Sequence, residues 1–510
     1  MSCGNPNEAS GEALMPRKPK FDNLRVCVKC RTSGGNIVIR HAVYCKECFT
    51  PLMTTKFRRA LEPHINYLPD GPRRSALKPS GDLLVGFSGG LGSTVLLDLV
   101  HRIYIAKRRT ENGSGGKAHP KTTRVWKNVR VCYVEICDAF PGMRDRTAEI
   151  EAAVGRYEGF EFIPSRIQDA FDPCWWETVS GVSSKSPPPW AVDLSNEELF
   201  LSPSPSESTP LASLHAYLQS LPTTTAITAT ISTFIRLLLL YTARANASSH
   251  LLLGTSLTSL SISLISSIAQ GGGFVIPQEE QEEWVPFSEE HSNNSASNGQ
   301  WKGEVRIVRP LREIGMKECA AWAWWNDLNV IGKKSFTSSR QTIAGLTKDF
   351  IVGLEKDYPS TVSTIARTCG KLAPKDDADS LCVLCERPAQ KMAHEWKSRI
   401  SIRSSSDQKS IQTDSPASLT SRLCYSCHTT LTSRSSRSAV PLKRCEASGP
   451  ALPVHLPVWI NSHLVTEPSS LGVGMTVVPE HTAQESELWK RQRMDNEAMR
   501  VAIGEFLLEE

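Results

Sequence analysis

The chain is poor in aromatic residues, which make up 7% of its 510 positions, and it has no long apolar run. Phe234–Leu240 is broken by Arg236, and Leu251–Ile268 is diluted by serine and threonine. Neither offers the ~20 apolar residues of a membrane-spanning helix. The first residues, MSCGNPNEAS, hold no apolar stretch of the secretory kind. The expectation is a cytosolic or nuclear chain with no membrane partner. Its glycine-rich turn is neither followed by G-K-[ST] nor of the form G-x-G-x-x-G, so a Walker loop and a dinucleotide fingerprint are excluded there. No internal repeat is visible.

Hydrophobic residues reach 40%, enough for a sizeable core, and 32 glycines and 32 prolines predict generous loops. At roughly 150 residues per domain the length allows about three domains. The net charge of +5 is unevenly spread. Residues 1–80 carry 14 Lys/Arg against 6 Asp/Glu, and residues 101–130 carry 9 against Glu111 alone. Basic segments on an otherwise acidic chain suit a polyanionic partner, or else solvated loops and tails.

Leu83–Phe87 (LLVGF) is an apolar run of strand length. Thr94–Lys107 places Val95, Leu99 and Ile103 on one helical stripe. Strand readings follow at Val129–Ile136, Phe160–Ile163, His250–Gly254 and Val305–Val308. Helices are read at Arg144–Tyr157, Ile227–Ala245, Ser256–Gln270, Met316–Leu328 and within 341–371. Apolar strands alternating with helices predict an α/β fold around a parallel sheet covered on both faces. The expected organisation is a disordered tail at 1–20 and a cysteine module at 21–78, including a short basic helix at Thr54–Leu61. An α/β domain follows at 79–375, with inserted loops at 108–124, 180–222 and 278–303. A second cysteine module at 376–510 holds a serine-rich loop at 401–422 and a terminal amphipathic helix at 485–508. Serine fills 13 of the 40 positions 401–440, which cannot build a core.

Eight of the 15 cysteines form four C-x2-C pairs. Cys27, Cys30, Cys45 and Cys48 have the spacing of a zinc ribbon, with four thiolates for a closed, structural site. Four free thiols or a [4Fe–4S] cluster are the alternatives. Cys382, Cys385, Cys424 and Cys427 repeat the pattern across a longer excursion, whose entropic cost grows only logarithmically. Zinc is expected in both. Cys132, Cys137, Cys174, Cys319 and Cys369 lack the spacing and read as small buried residues.

Ser88, Gly89, Gly90, Gly92 and Ser93 form a glycine loop between a strand and a helix. Such a loop lets backbone amides and a helix N-terminus approach a phosphate, with the two serine hydroxyls as donors. This strand–SGGxxS–helix element resembles the pyrophosphate loop of the PP-loop ATP pyrophosphatases. The two cysteine modules resemble those of the members that thiolate tRNA. In active members the loop reads S-G-G-x-D-S, and Gly92 stands in place of that aspartate. Gly254 matches a second family motif, but Thr255 replaces its histidine, and Thr258 and Ser259 replace its acidic pair. Val305–Met316 (VRIVRPLREIGM) resembles the family strand ending in R-P-L, while the central C-x-x-C is missing.

The resemblance implies ATP-dependent 2-thiolation of wobble uridine-34 in Lys, Glu and Gln tRNAs, with sulfur from a thiocarboxylated ubiquitin-related modifier. The departures imply that this chain is not catalytic alone. It would act as a heterodimer with a catalytic PP-loop subunit, add tRNA-binding surface, and meet the modifier through that partner. The residues leave ATP binding open. The alternatives are an active PP-loop ligase in its own right, and a zinc-ribbon scaffold with no tRNA role. The family also implies a link to conjugating the modifier onto proteins.

Overall fold

The computed structural model describes residues 26–39, 42–65, 81–106, 125–181, 190–194, 198–203, 208–281, 283–284, 305–332, 342–372, 380–390, 418–433 and 453–465. The expected tail at 1–20, the insertion at 108–124, the stretch 401–417 and the terminal helix at 485–508 lie outside these residues. By its contacts, Met1–His463 is one unit and Leu464–Glu510 another.

A hairpin of β1 (Ile37–Ile39) and β2 (Ala42–Tyr44) leads into α1 (Lys46–Ile65). The sequence predicts only a short basic helix here. α1 is instead 20 residues long and contains Pro51 and Pro63. Phe49, Met53, Phe57, Leu61 and Ile65 recur every four residues and are all but fully buried. That stripe outweighs the prolines, because most helical stability in proteins comes from packing an apolar face. It packs into the same core as Leu83, Val85, Leu99 and Trp322, so the first cysteine segment is joined to the α/β core.

The α/β part runs β3 (Asp82–Gly86), α2 (Leu91–Val100), β4 (Val129–Glu135), α3 (Thr147–Val154), β5 (Glu161–Arg166) and α4 (Pro173–Ser180). After β6 (Trp190–Val192), β7 (Leu201–Pro203) and α5 (Pro210–Ser220) come α6 (Thr224–Ala245), β8 (Ser248–Leu253), α7 (Leu257–Ala269) and α8 (Ile276–Glu280). β9 (Glu283–Trp284), β10 (Arg306–Val308), α9 (Met316–Trp325), α10 (Ile343–Asp357) and α11 (Pro359–Lys371) complete it. The main sheet has the order β5-β4-β3-β8-β10-β9. Its first five strands are parallel and β9 is an antiparallel edge. The chain moves from β3 to β4 and β5 on one side, then returns to place β8 on the other. The crevice beyond the carboxyl ends of β3 and β8 is therefore the topological switch point, where open α/β sheets bind ligands.

The segment 180–222, expected as a loop with helix only in part, contains β6, β7 and α5. β6 lies between β7 and β11 (Val454–His455) in a second, antiparallel sheet. These strands have two or three residues each, too few to show a period in the sequence. Near the end of the described chain, helices Tyr425–Thr432 and Val458–Val465 flank the second cysteine group.

By length and composition alone α6 could cross a membrane, yet 67% of its apolar window is buried within the protein. Phe234, Leu237, Leu238 and Leu240 are fully buried, so it packs as a core helix. Removing one ring from the α1 stripe tests whether that helix belongs to the core. Phe57→Ala should cost about 3–5 kcal/mol, read as a lower urea midpoint for the whole chain. An unchanged midpoint would show α1 to be an independent module.

Candidate functional site: a glycine loop and two tetracysteine groups

Ser88, Gly89, Gly90, Gly92 and Ser93 sit at the switch point, between the end of β3 and the first turn of α2. Gly89 takes φ of 73°, a conformation that suits glycine. The Ser93 hydroxyl donates to the Gly90 carbonyl at 2.9 Å and accepts from the Ser88 amide at 3.3 Å. Thr94 Oγ1 donates to the same carbonyl at 3.0 Å. Ser93 is 6% exposed, so of the two expected phosphate donors only Ser88 faces solvent. The Gly332 amide donates to the Gly89 carbonyl at 3.0 Å, covering the loop from outside.

Gly254, at the end of β8, closes the other side. A Cβ at Gly92 would run into the Gly254 carbonyl oxygen, and a Cβ at Gly254 would lie 2.6 Å from Ser93 N and Cα. The two backbones are thus in contact where the active family carries aspartate. An aspartate at 92 has no room unless one strand end moves.

The next motif is also rewired. Thr258 is fully buried. Its hydroxyl lies 2.9 and 2.8 Å from the two oxygens of Glu355, to which it donates, and it accepts from the Met316 amide at 3.0 Å. Glu318 accepts from the Gly315 amide at 2.8 Å and pairs with Lys56 Nζ at 2.6 Å. Burial, with Glu318 adding repulsion, raises Glu355 above the usual carboxylate value of 4.5. A carboxylate therefore stands beside Thr258 after all, supplied by α10. No sequence signal joins Thr258 to a residue 97 positions away.

At the end of β4 the buried Glu135 is fully engaged. It accepts from the amides of Ile136, Cys137 and Arg146 at 2.7, 2.9 and 2.7 Å, and from Tyr133 Oη at 3.0 Å. Burial and the carboxylates of Asp138, Glu135 and Asp145 push the neighbouring Cys137 thiol up to about 11. Cys132, Cys319 and Cys369 are buried as expected; Cys137 is only half-buried and Cys174 is exposed. His250 bonds Ser249 Oγ and the His64 carbonyl, both at 2.8 Å, a structural role that ties α1 to β8.

The four Sγ atoms of Cys27, Cys30, Cys45 and Cys48 lie within 4.8 Å of one another, as do those of Cys382, Cys385, Cys424 and Cys427. Cys30 and Cys45 are 3.8 Å apart, and Cys385 and Cys424 are 3.9 Å apart. A tetrahedron with metal–sulfur bonds of ~2.3 Å has edges of about 3.8 Å. Both groups could hold a metal ion. In the first, the Thr32 hydroxyl and the amides of Ser33 and Thr32 hold Cys30 down to about 5. Cys27 and Cys45 are buried there, whereas Cys30 and Cys48 are half-buried. In the second all four are buried, and hydrogen bonds from Cys382, Cys424 and Cys427 hold Cys385 far below the usual thiol value.

Some of the expected basic surface is already used. Lys56 is paired with Glu318, Arg102 with Asp98 at 2.8 Å, and Arg130 with Asp82 and Glu161 at 2.9 Å. Lys29, Arg31, Lys46 and Arg59 are exposed on the first ribbon and α1. Trp322 is buried and donates to Asp98 at 2.8 Å, and Trp176 packs on Tyr241 with ring centres 4.9 Å apart. Trp324, in contrast, is 83% exposed.

The family described as Cytoplasmic tRNA 2-thiolation protein 2 matches residues 342–429, from the start of α10 to the second cysteine group. The chain is related to cytoplasmic tRNA 2-thiolation protein 2. Protein 2-A of Xenopus laevis is 26% identical over 72% of this chain and 73% of its own length. The Homo sapiens protein is 24% identical over 72% and 73%, and that of Phaeosphaeria nodorum 23% over 79% and 93%. Among solved structures, the U34-tRNA thiolase of Methanococcus maripaludis with its [4Fe-4S] cluster is similar at a TM-score of 0.42 and 17% identity, over 72% of this chain and 97% of that one.

Two predictions follow from this geometry. Gly92→Asp should lower stability by about 1–3 kcal/mol through overpacking against Gly254, with no gain of ATPase activity. A stable, ATP-hydrolysing variant would show that the cradle opens. Glu355 retains its proton to a higher pH folded than unfolded. The stability it gives is therefore full below 4.5 and is lost as pH rises through its raised value. Glu355→Gln should remove that fall from a pH series of thermal midpoints.

Proposed function

We propose that the chain is the non-catalytic subunit of a cytoplasmic tRNA 2-thiolation complex. The observation that carries this reading is the Gly92–Gly254 contact, in a chain related to tRNA 2-thiolation proteins. ATP activation of a uridine oxygen needs a phosphate cradle, a carboxylate-held cation and a sulfur carrier. Here the Gly92 and Gly254 backbones meet too closely for a side chain at either, and Gly92 supplies no carboxylate. Glu355 and Glu318 are taken by Thr258 and Lys56. The catalytic centre then lies in a PP-loop partner, with which this chain forms a heterodimer. That partner receives sulfur from a thiocarboxylated ubiquitin-related modifier and acts on wobble uridine-34 of Lys, Glu and Gln tRNAs.

The three-part organisation at 21–78, 79–375 and 376–510 suits this role. Cys27, Cys30, Cys45 and Cys48, like Cys382, Cys385, Cys424 and Cys427, would each hold one zinc ion. Zinc supplies cross-linking there and no open coordination position. A cubane between the thiolates would hold them further apart than 3.8 Å. Lys29, Arg31, Lys46 and Arg59 are placed to meet tRNA phosphates, which orient RNA without reading its sequence.

The test is reconstitution. The purified chain, its PP-loop partner, or both are given ATP, the thiocarboxylated modifier and a wobble-uridine tRNA, and the product is read by retardation in a mercury gel. Thiolation is expected only with both chains; thiolation by this chain alone would overturn the proposal. Lys29→Glu and Arg31→Glu should weaken tRNA binding to the complex and flatten its salt dependence by about 0.9 in log–log slope per lost phosphate contact.

A further inference from the structure

A cavity of about 240 Å³ lies beside the glycine loop, between α2, α3 and the segment that follows α9. Phe87, Leu97 and Leu328 give it apolar walls. Asp98, 2% exposed, puts a carboxylate inside it. The exposed Arg102 and Arg156 line it from the solvent side. Tyr157 adds a half-buried ring, held by edge contacts with His101 at 5.2 Å and Phe160 at 6.1 Å.

The polar groups keep capacity for a ligand. Asp98 accepts from Arg102 Nε and from Trp322 Nε1, both at 2.8 Å, one on each oxygen. Each carboxylate oxygen has a second lone pair. Arg102 also donates to Asn326 at 2.8 Å, which still leaves N–H donors on its fork.

The charges are layered, with the carboxylate inside and the guanidiniums outside. A bare anion would meet Asp98, and a cation would meet the two arginines. A nucleotide suits both layers, because its base has flat apolar faces and an N–H edge while its phosphate stays outside. Carboxylates accept from base edges, and unstacked RNA bases lie on aromatic rings. The volume falls short of the ~300 Å³ at which pockets for drug-sized ligands begin, so it suits a single base. Residues 101–130, to which Arg102 belongs, carry 9 Lys/Arg against Glu111 alone, which favours a polyanion over a free nucleotide.

We propose that this cavity receives one unpaired base of the tRNA, stacked on Tyr157 with its N–H edge on Asp98, while Arg102 and Arg156 hold its phosphate. The modified uridine goes to the partner's centre, so this base is a different one and serves to anchor the RNA. The inference rests on the tRNA-binding role proposed above and gives it a site.

The full-length chain, alone and with its PP-loop partner, is titrated with labelled tRNA over a salt series and read by fluorescence anisotropy. A fully paired RNA duplex is the control. Tyr157→Leu removes the stacking ring, and Ala153→Leu grows a side chain into the cavity from α3. Each should weaken tRNA binding about tenfold, with the salt slope and the duplex affinity unchanged. Arg156→Ala should weaken tRNA binding and lower the log–log salt slope by about 0.7. Arg156 is exposed, so its variant serves if the other two do not fold. Unchanged tRNA affinity in the folded variants would overturn the inference alone. So would an equal loss for tRNA and duplex, which marks a surface that reads only the backbone. A loss of partner binding in place of tRNA binding would make the cavity a protein contact and overturn it. Displacement of tRNA by micromolar AMP would make it a free-nucleotide site and overturn it. Wild-type chain that binds no tRNA, alone or with its partner, would overturn the tRNA role and the inference with it.

Discussion

The rest of the site depends on one backbone contact. β3 and β8 are neighbouring parallel strands, and the chain leaves their carboxyl ends in loops that must pass one another. With glycine at both 92 and 254 the loops touch, Gly254 against Ser93 and Gly92. A phosphate cradle presents the amides of such a turn to its ligand. Here Ser93 and Thr94 turn their hydroxyls back to the Gly90 carbonyl, and Gly332 bonds across Gly89. The loop sits at the switch point, where its backbone packs against the end of β8.

The polar residues around that contact are held in structural interactions. Thr258 links Glu355 to the Met316 amide, and Glu318 links Lys56 of α1 to the start of α9. α1 in turn carries the second knuckle of the first cysteine group at its N-terminus. The first cysteine group is therefore tied to the sheet through α1, by an ion pair, the His250–His64 bond and an apolar stripe. The second group is tied to α6 and α8 by Arg236 and by Glu279 through Arg387.

The sequence made the parallel sheet legible because buried parallel strands are continuous apolar runs. LLVGF and VRVCYVEI sit where β3 and β4 form. The C-x2-C spacing likewise foretold which thiols would meet, since a knuckle is a local turn. What stayed hidden was set at long range or by very short elements. β6, β7 and β11 are two- or three-residue strands in serine- and proline-rich sequence. The extent of α1 was masked by Pro51 and became clear only from what its apolar stripe buries. Glu355 reaches Thr258 across 97 positions, and the Gly92–Gly254 contact exists only once β3 and β8 are side by side. Gly92 in the sequence reads as a lost ligand; in the fold it is also the condition for the contact.

The most direct measurement of the closed cradle is a calorimetric titration of the isolated full-length chain with ATP and magnesium. No saturable heat is expected at millimolar nucleotide. Stoichiometric binding, abolished by a bulkier residue at Gly90, would contradict it and restore the loop as a working nucleotide site.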